Sequence, residues 1–142
     1  MKKLTLVFLV VILCLSLAGC NGTVTPETNA DKVEIKSVLQ NFFLAINDQN
    51  WSKAKGYCVY GSDAWYIIEN IVDAMDTLNI YYYVVTINCF VNISNESVNG
   101  NYESAKVAGN IVMTADGYTE TESINSTFQL QKIDNDWKIY DN

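Results

Sequence analysis

The hydrophobic pattern changes its period once along this chain, near Asn79, and that change limits what the chain can fold into. Before Asn79, apolar residues recur at every third or fourth position, which is typical of helices with one buried face. After it, apolar and polar residues alternate, which is typical of strands with two different faces. The sequence therefore predicts helices first and then an antiparallel sheet, an α+β fold.

Three helices are predicted in the first part of the chain. The first begins at Asp31 as its N-cap and ends at Asn47. A short second helix covers Trp51–Tyr57, and a third covers Asp63–Leu78 behind Ser62, whose hydroxyl is a good N-cap group. The buried stripes are expected to contain Ile35, Val38, Leu39, Phe42 and Ile46 in the first helix, and Trp65, Ile68, Ile71, Val72 and Met75 in the third.

Four strands are predicted in the second part. Asp116-Gly117 is a strong hairpin signal, because both residue types tolerate the left-handed backbone that tight β-turns need. The strands are expected at Ile80–Ile93, Tyr102–Thr114, Tyr118–Lys132 and Trp137–Tyr140, with the other turns at Asn95–Gly100 and Asp134–Asp136. The helices would pack on one face of this curved four-stranded antiparallel sheet.

The N-terminal segment has the features of an export signal. Lys2 and Lys3 precede an apolar run, Leu4–Ala18, that is shorter than the roughly 20 residues needed to cross a bilayer. The run ends in Leu17-Ala18-Gly19-Cys20, which resembles the lipobox of bacterial lipoproteins.

The lipobox resemblance implies that Cys20 receives a diacylglyceryl group and that the leader is cleaved before it. The protein would then be anchored in membrane lipid through Cys20, on the extracytoplasmic side of the cell membrane, because two or more acyl chains anchor stably. The alternative is an ordinary signal peptide with a chance cysteine. The predicted organisation is a signal peptide over residues 1–19, the lipidated cysteine and a tether containing Pro26 over residues 20–30, and one domain over residues 31–142.

Composition excludes several classes of function. The formal net charge is −7, histidine is absent, and the nine basic residues are all scattered lysines, so no basic face is available to bind nucleic acid. No glycine-rich phosphate loop, nucleophile elbow or acidic calcium loop is present. The sequence predicts no cofactor and no metal site.

Two cysteines, Cys58 and Cys89, lie within the predicted domain. An extracytoplasmic location permits a disulfide between them, whereas two buried thiols acting as small hydrophobes would fit equally well. The sequence leaves these alternatives open. Catalysis by a thiolate is disfavoured, because no histidine is present to activate it.

Two segments resemble the nuclear transport factor 2-like superfamily. Phe42-Phe43-Leu44-Ala45-Ile46-Asn47-Asp48, followed by Trp51 and Ala54, resembles its first-helix pattern, and Phe128–Lys132 with Trp137–Tyr140 resembles its last hairpin. The resemblance implies a cone, with the curved sheet wrapped around the first helix and a pocket between them. It also implies that the outer sheet face often forms dimers. Because the superfamily contains ketosteroid isomerases, dehydratases and lipoproteins without assigned chemistry, function does not follow from the fold.

The sequence predicts a binding module for a small ligand or an envelope protein, with a homodimer through the outer sheet face as a further expectation. The alternative is an isomerase or hydratase acting on a small apolar substrate in the cone, although no catalytic residue is identified. Asp63, Glu69 and Asp73 are expected to face water. Aromatic and polar side chains suit protein and ligand surfaces, so the predicted binding residues are Trp65, Tyr82, Thr86, Asn88 and Asn110.

Overall fold

The computed structural model describes residues 29–79, 85–99 and 101–141. Three helices precede four strands, as the change of period predicts. They are α1 (Asn29–Asn47), α2 (Trp51–Gly56), α3 (Asp63–Asn79), β1 (Val85–Asn99), β2 (Tyr102–Ala115), β3 (Tyr118–Ile133) and β4 (Asp136–Asp141). The strands form one antiparallel sheet in the order β1-β2-β3-β4, and the α+β prediction is confirmed.

Local side-chain chemistry sets the ends of these elements. Ser62 Oγ accepts a hydrogen bond from the Trp65 amide at 3.3 Å, which confirms it as the N-cap group of α3. The hairpin between β2 and β3 turns at Asp116 and Gly117, with φ angles of 51° and 79°. Two consecutive positive φ angles are the signature of the type I′ turn, whose twist matches that of the flanking strands.

The first strand differs from its prediction at its C-terminal end. The predicted turn at Asn95–Gly100 is wrong, because β1 continues to Asn99, which pairs with Tyr102. A shift of register between Asn95 and Ser97 absorbs one extra residue, so the ladder continues past a sequence rich in turn-forming residues. The beginning of the predicted strand, Ile80–Val84, lies outside the described residues and includes Tyr82.

The core lies between α1, α3 and the inner face of the sheet. Phe42 and Phe43 of α1 meet Phe128 of β3 edge to face, with ring centroids 6.3 and 5.6 Å apart, a favourable geometry for aromatic pairs. Trp137 and Leu130 are fully buried beside them. The predicted helical stripes are largely confirmed, since Ile35, Leu39, Phe42, Ile46, Ile68, Ile71 and Met75 are buried, whereas Val38, Trp65 and Val72 are only partly buried.

Gly109 of β2 faces the backbone of β1 at Phe90 and Val91. A Cβ atom at this position would sit 2.0 Å from the carbonyl oxygen of Phe90 and 2.8 Å from the Cα of Val91. Both are backbone atoms, so no side chain can move aside to make room. The close approach of the two strands therefore requires glycine, which commonly marks such contacts inside strands.

Asp31 has a different role from the predicted one. Helix α1 begins at Asn29, so Asp31 lies in its first turn and is not the N-cap. The Asp31 carboxylate accepts hydrogen bonds from Lys132 Nζ at 2.8 Å and from Trp137 Nε1 at 3.2 Å. Acidic residues suit the first turn of a helix, and here the carboxylate also joins α1 to the β3–β4 hairpin.

We expect Gly109→Ala to lower the free energy of unfolding by about 3 kcal/mol, because the new methyl group overlaps backbone that cannot move without parting the strands. Gly56→Ala is the matched control, since nothing lies within 4 Å of its added Cβ. Urea denaturation of both variants measures the difference. Equal stability of the two variants would contradict the close-approach argument.

We expect Asp31→Asn to lower the melting temperature at neutral pH, by an amount that shrinks in strongly alkaline solution. The hydrogen bond to Asp31 raises the pKa of the Lys132 ammonium. This stabilisation is complete below the unfolded pKa of about 10.4 and is lost as the pH rises through the folded pKa. Melting curves of wild type and variant across that range measure it, and a difference that stays constant with pH would refute it.

Candidate functional site

A small cavity lies between the helices and the inner face of the sheet, where the family resemblance predicts a pocket. The volume of the cavity is about 30 Å³, which is room for roughly two water molecules. Its lining comes from α1, α3, β1, β2 and β3 and consists of Phe42, Phe43, Ile46, Ala64, Ile67, Ile68, Ile71, Ile87, Cys89, Ile111 and Phe128. Large apolar side chains thus fill most of the space that the curved sheet encloses.

Cys89 provides the one side-chain heteroatom among these lining residues. Burial raises the pKa of the Cys89 thiol to about 12, so the thiol is neutral at physiological pH. A neutral thiol is a poor nucleophile and a poor general base. The lining therefore offers a dry apolar surface and no group suited to proton transfer.

The two domain cysteines are buried free thiols, which is the second of the two alternatives that the sequence left open. Cys58 follows α2 and forms an isolated bridge with Ile139 of β4, whereas Cys89 pairs with Ile111 of β2. They are thus attached to opposite edges of the sheet. Helix α3 lies between the two cysteines in the chain. Their spacing in the sequence therefore does not show that they lie far apart in the fold.

The outer sheet face carries most of the predicted binding residues. Thr86 and Asn110 are exposed and Asn88 is half-buried, and all three project from β1 and β2 on the side away from the helices. The Ser123 hydroxyl donates to Asn110 Oδ1 at 3.4 Å across the strands. The fourth predicted residue of this face, Tyr82, lies outside the described residues.

Phe90 lies on the outer face of β1, the edge strand of the sheet, and was not predicted as a binding residue. Its side chain is 64% exposed, and it pairs with Asn110, which in turn pairs with Ser123. The sequence did contain a signal, since the alternation places Phe90 among polar residues on the outward side of its strand. An exposed aromatic ring in such surroundings is a typical anchor of a binding surface.

Trp65 of α3 packs partly buried against the core but does not line the cavity. Its ring contacts those of Tyr60 and Tyr66 edge to face, at 5.1 and 5.2 Å between centroids. Lys55, which is paired with Glu69, lies 5.2 Å from the Trp65 ring centroid. Trp65 is therefore separate from the residues of the outer sheet face.

Among the described residues, no carboxylate lines the cavity. Asp63 and Asp73 are exposed, as predicted, and Glu69 is half-buried in its ion pair. Glu103 is a buried carboxylate that the sequence analysis did not single out, but it lies eight positions before Ile111 on β2, outside the lining. Within the described ranges, no three histidine, cysteine, aspartate or glutamate residues are placed to hold a metal ion.

The part of the chain that the structure describes contains no helix long and apolar enough to cross a membrane. The leader and Cys20 lie outside the described residues, so the lipid anchor stays a prediction.

Comparison with known proteins gives matches to solved structures. No protein-family model matches the chain, and no curated protein matches it. A candidate dehydratase of the nuclear transport factor 2-like family from Streptomyces avermitilis is 13% identical, with a TM-score of 0.58 over 79% of this chain and 92% of that one.

Two further similar structures have a cystatin-like fold. A protein of unknown function with a cystatin-like fold from Nostoc punctiforme is 12% identical, with a TM-score of 0.59 over 82% of this chain and 90% of that one. A nuclear transport factor 2-like protein with a cystatin-like fold from Novosphingobium aromaticivorans is 10% identical, with a TM-score of 0.56 over 78% of each chain. At these identities the likeness is one of fold, and the chain has the cone-shaped fold of the nuclear transport factor 2-like and cystatin-like proteins.

Proposed function

We propose that this protein is a lipid-anchored extracytoplasmic module that binds a protein partner, in the first instance a second copy of itself, through its outer sheet face. The observation that carries the proposal is the exposure of Phe90, 64% of whose side chain meets solvent among neutral polar groups. A large exposed aromatic ring is the kind of residue that dominates the energy of protein interfaces.

The charge distribution supports self-association on this face. The outward residues of β1 from Thr86 to Ser94, and those of β2 from Lys106 to Thr114, include one charged side chain, Lys106. The chain as a whole has a net charge of −7, so its acidic residues lie elsewhere. Two copies therefore bring together faces that lack acidic groups, and the repulsion between like charges is small.

The lipid anchor belongs to the same proposal. The lipobox at Leu17-Ala18-Gly19-Cys20 supports acylation of Cys20, and acylation confines the domain to a membrane surface. Confinement raises the local concentration of the domains, so a weak interface becomes effective.

The alternative is an isomerase or hydratase acting on a small apolar substrate in the cone. The description of the Streptomyces avermitilis structure as a candidate dehydratase favours it. The cavity argues against it, because its lining is apolar apart from Cys89 and its volume suits water-sized molecules. Without a placed acid or base, a hydration or a proton shift loses the contribution of general acid–base catalysis. A binding module therefore fits the described residues better.

We expect Phe90→Asp to weaken self-association at least tenfold, because it puts a carboxylate from each copy into the same interface. Tyr118→Asp is the matched control, since Tyr118 is 63% exposed and pairs with Ala115, whose side chain is buried on the inner face. Sedimentation equilibrium of the chain from residue 21 onward measures both. A wild-type chain that stays monomeric at its highest soluble concentration would refute self-association.

We expect Cys58 and Cys89 to resist alkylation by iodoacetamide at pH 8 in the folded protein and to react fully in urea. Burial raises the pKa of each thiol to about 12, and alkylation needs the thiolate. Peptide mass spectrometry assigns the modified cysteines, and a short cysteine-containing peptide added to the sample is the reference for full reactivity. Rapid labelling of folded Cys89 would reveal a reactive group in the cavity and favour the enzyme alternative.

A further inference from the structure

Strand β1 is at the edge of the sheet, and on its open side two side chains form hydrogen bonds with its backbone. Asn47, the last residue of α1, accepts a hydrogen bond from the Cys89 amide through Oδ1 at 2.6 Å and donates one from Nδ2 to the Cys89 carbonyl at 3.2 Å. Gln49 Nε2 donates to the Val85 carbonyl at 2.7 Å. These two side-chain amides bind backbone groups of Cys89 and Val85, which point to the same side of β1, as a neighbouring strand would.

The same edge continues beyond Cys89. Alternate residues of a strand direct their backbone groups to the same side, and the β1–β2 register is regular from Val85 to Asn95. Val91 and Ile93 therefore direct their N–H and C=O groups away from β2, as Cys89 does. A sheet edge with such groups is a template for the addition of another strand.

A groove runs beside this part of the edge. The volume of this groove is about 390 Å³. Its lining has no charged residue and consists of Gln40, Asn41, Phe43, Leu44, Asn47, Cys89 and Val91. An extended peptide suits such a groove, because its backbone bonds to the strand edge and its side chains meet a lining of mixed amide and apolar residues.

We propose that the occupant of this groove is the chain's own tether, the segment from Asn21 to Thr25, added as a short strand beside Val91 and Ile93. The segment is uncharged, like the groove, and its Thr23-Val24-Thr25 run is β-branched, which favours an extended backbone. Pro26 follows the run, so the position that lacks an N–H group falls outside it.

The length of the tether allows this. Helix α1 rises roughly 16 Å from Asn29 to Gln40 and roughly 22 Å from Asn29 to Leu44. The eight residues that precede Asn29, starting at Asn21, span at most about 28 Å when extended. The segment from Asn21 to Thr25 therefore reaches the level of the groove.

Exposed apolar side chains mark a path along the helix. Val33 is 71% exposed and Leu44 is 54% exposed, and their spacing of three turns places both on one stripe of α1. Because the tether is joined to the helix, its effective concentration at the groove exceeds that of a separate peptide. The interaction does not depend on the outer sheet face or on acylation of Cys20.

The test is amide hydrogen exchange measured by nuclear magnetic resonance on the chain without its apolar leader, carrying Cys20→Ser. We expect the Val91 and Ile93 amides to exchange at least tenfold more slowly in this chain than in its Leu44→Glu or Val24→Pro variants. Leu44→Glu puts a charge in the groove, and Val24→Pro removes a backbone donor from the added strand. Tyr66→Glu is the matched control, because Tyr66 is also 54% exposed but lies on α3, and it should retain the protection.

Three results would overturn the proposal. The first is equal exchange at Val91 and Ile93 in the unmodified chain and both variants, which means that the groove is empty. The second is protection that survives Val24→Pro but not Leu44→Glu, which assigns the groove to another segment. The third is protection that grows with protein concentration, which assigns it to a second copy.

Discussion

The burial of α1 against the concave face of the sheet is the contact on which the rest of this domain depends. The helix crosses from the β3–β4 hairpin, where Asp31 binds Lys132 and Trp137, to the opposite edge, where Asn47 binds Cys89. Its two phenylalanine rings meet Phe128 at the centre. Beneath the helix, Gly109 allows the backbones of β2 and β1 to lie in close contact.

The sequence predicts most of this fold because one residue pattern serves both local structure and burial. The apolar stripes of α1 and α3, the Ser62 cap and the Asp116-Gly117 turn all follow from short-range spacing. The hydrogen-bond partners of Asp31 cannot be predicted from short-range spacing, because Lys132 and Trp137 lie more than a hundred residues away in the sequence. The bulge after Asn95 was also missed, because turn-forming residues are read as a turn unless the pairing of the next strand is known.

The candidate site was less predictable than the fold. Alternation assigns Thr86, Asn88 and Asn110 to one face, but it does not say which residues stand clear of their neighbours, and that exposure singles out Phe90. Cavity volume depends on how large side chains interlock. The sequence predicts a pocket from the family resemblance, whereas eleven lining residues reduce it to about 30 Å³. Apolar side chains occupy the interior of the cone, so this space belongs to the hydrophobic core and leaves little room for a ligand.

The carboxylate of Asp31 lies two residues after the start of α1, where the chain from Cys20 enters the domain. A pull on the segment before the domain would act first on that turn. The hydrogen bonds from Lys132 and Trp137 transfer this load from the end of a helix, which frays easily, to two paired strands. The sheet thus holds the first turn of α1 in place, so the start of the domain resists unwinding when the segment before it is pulled.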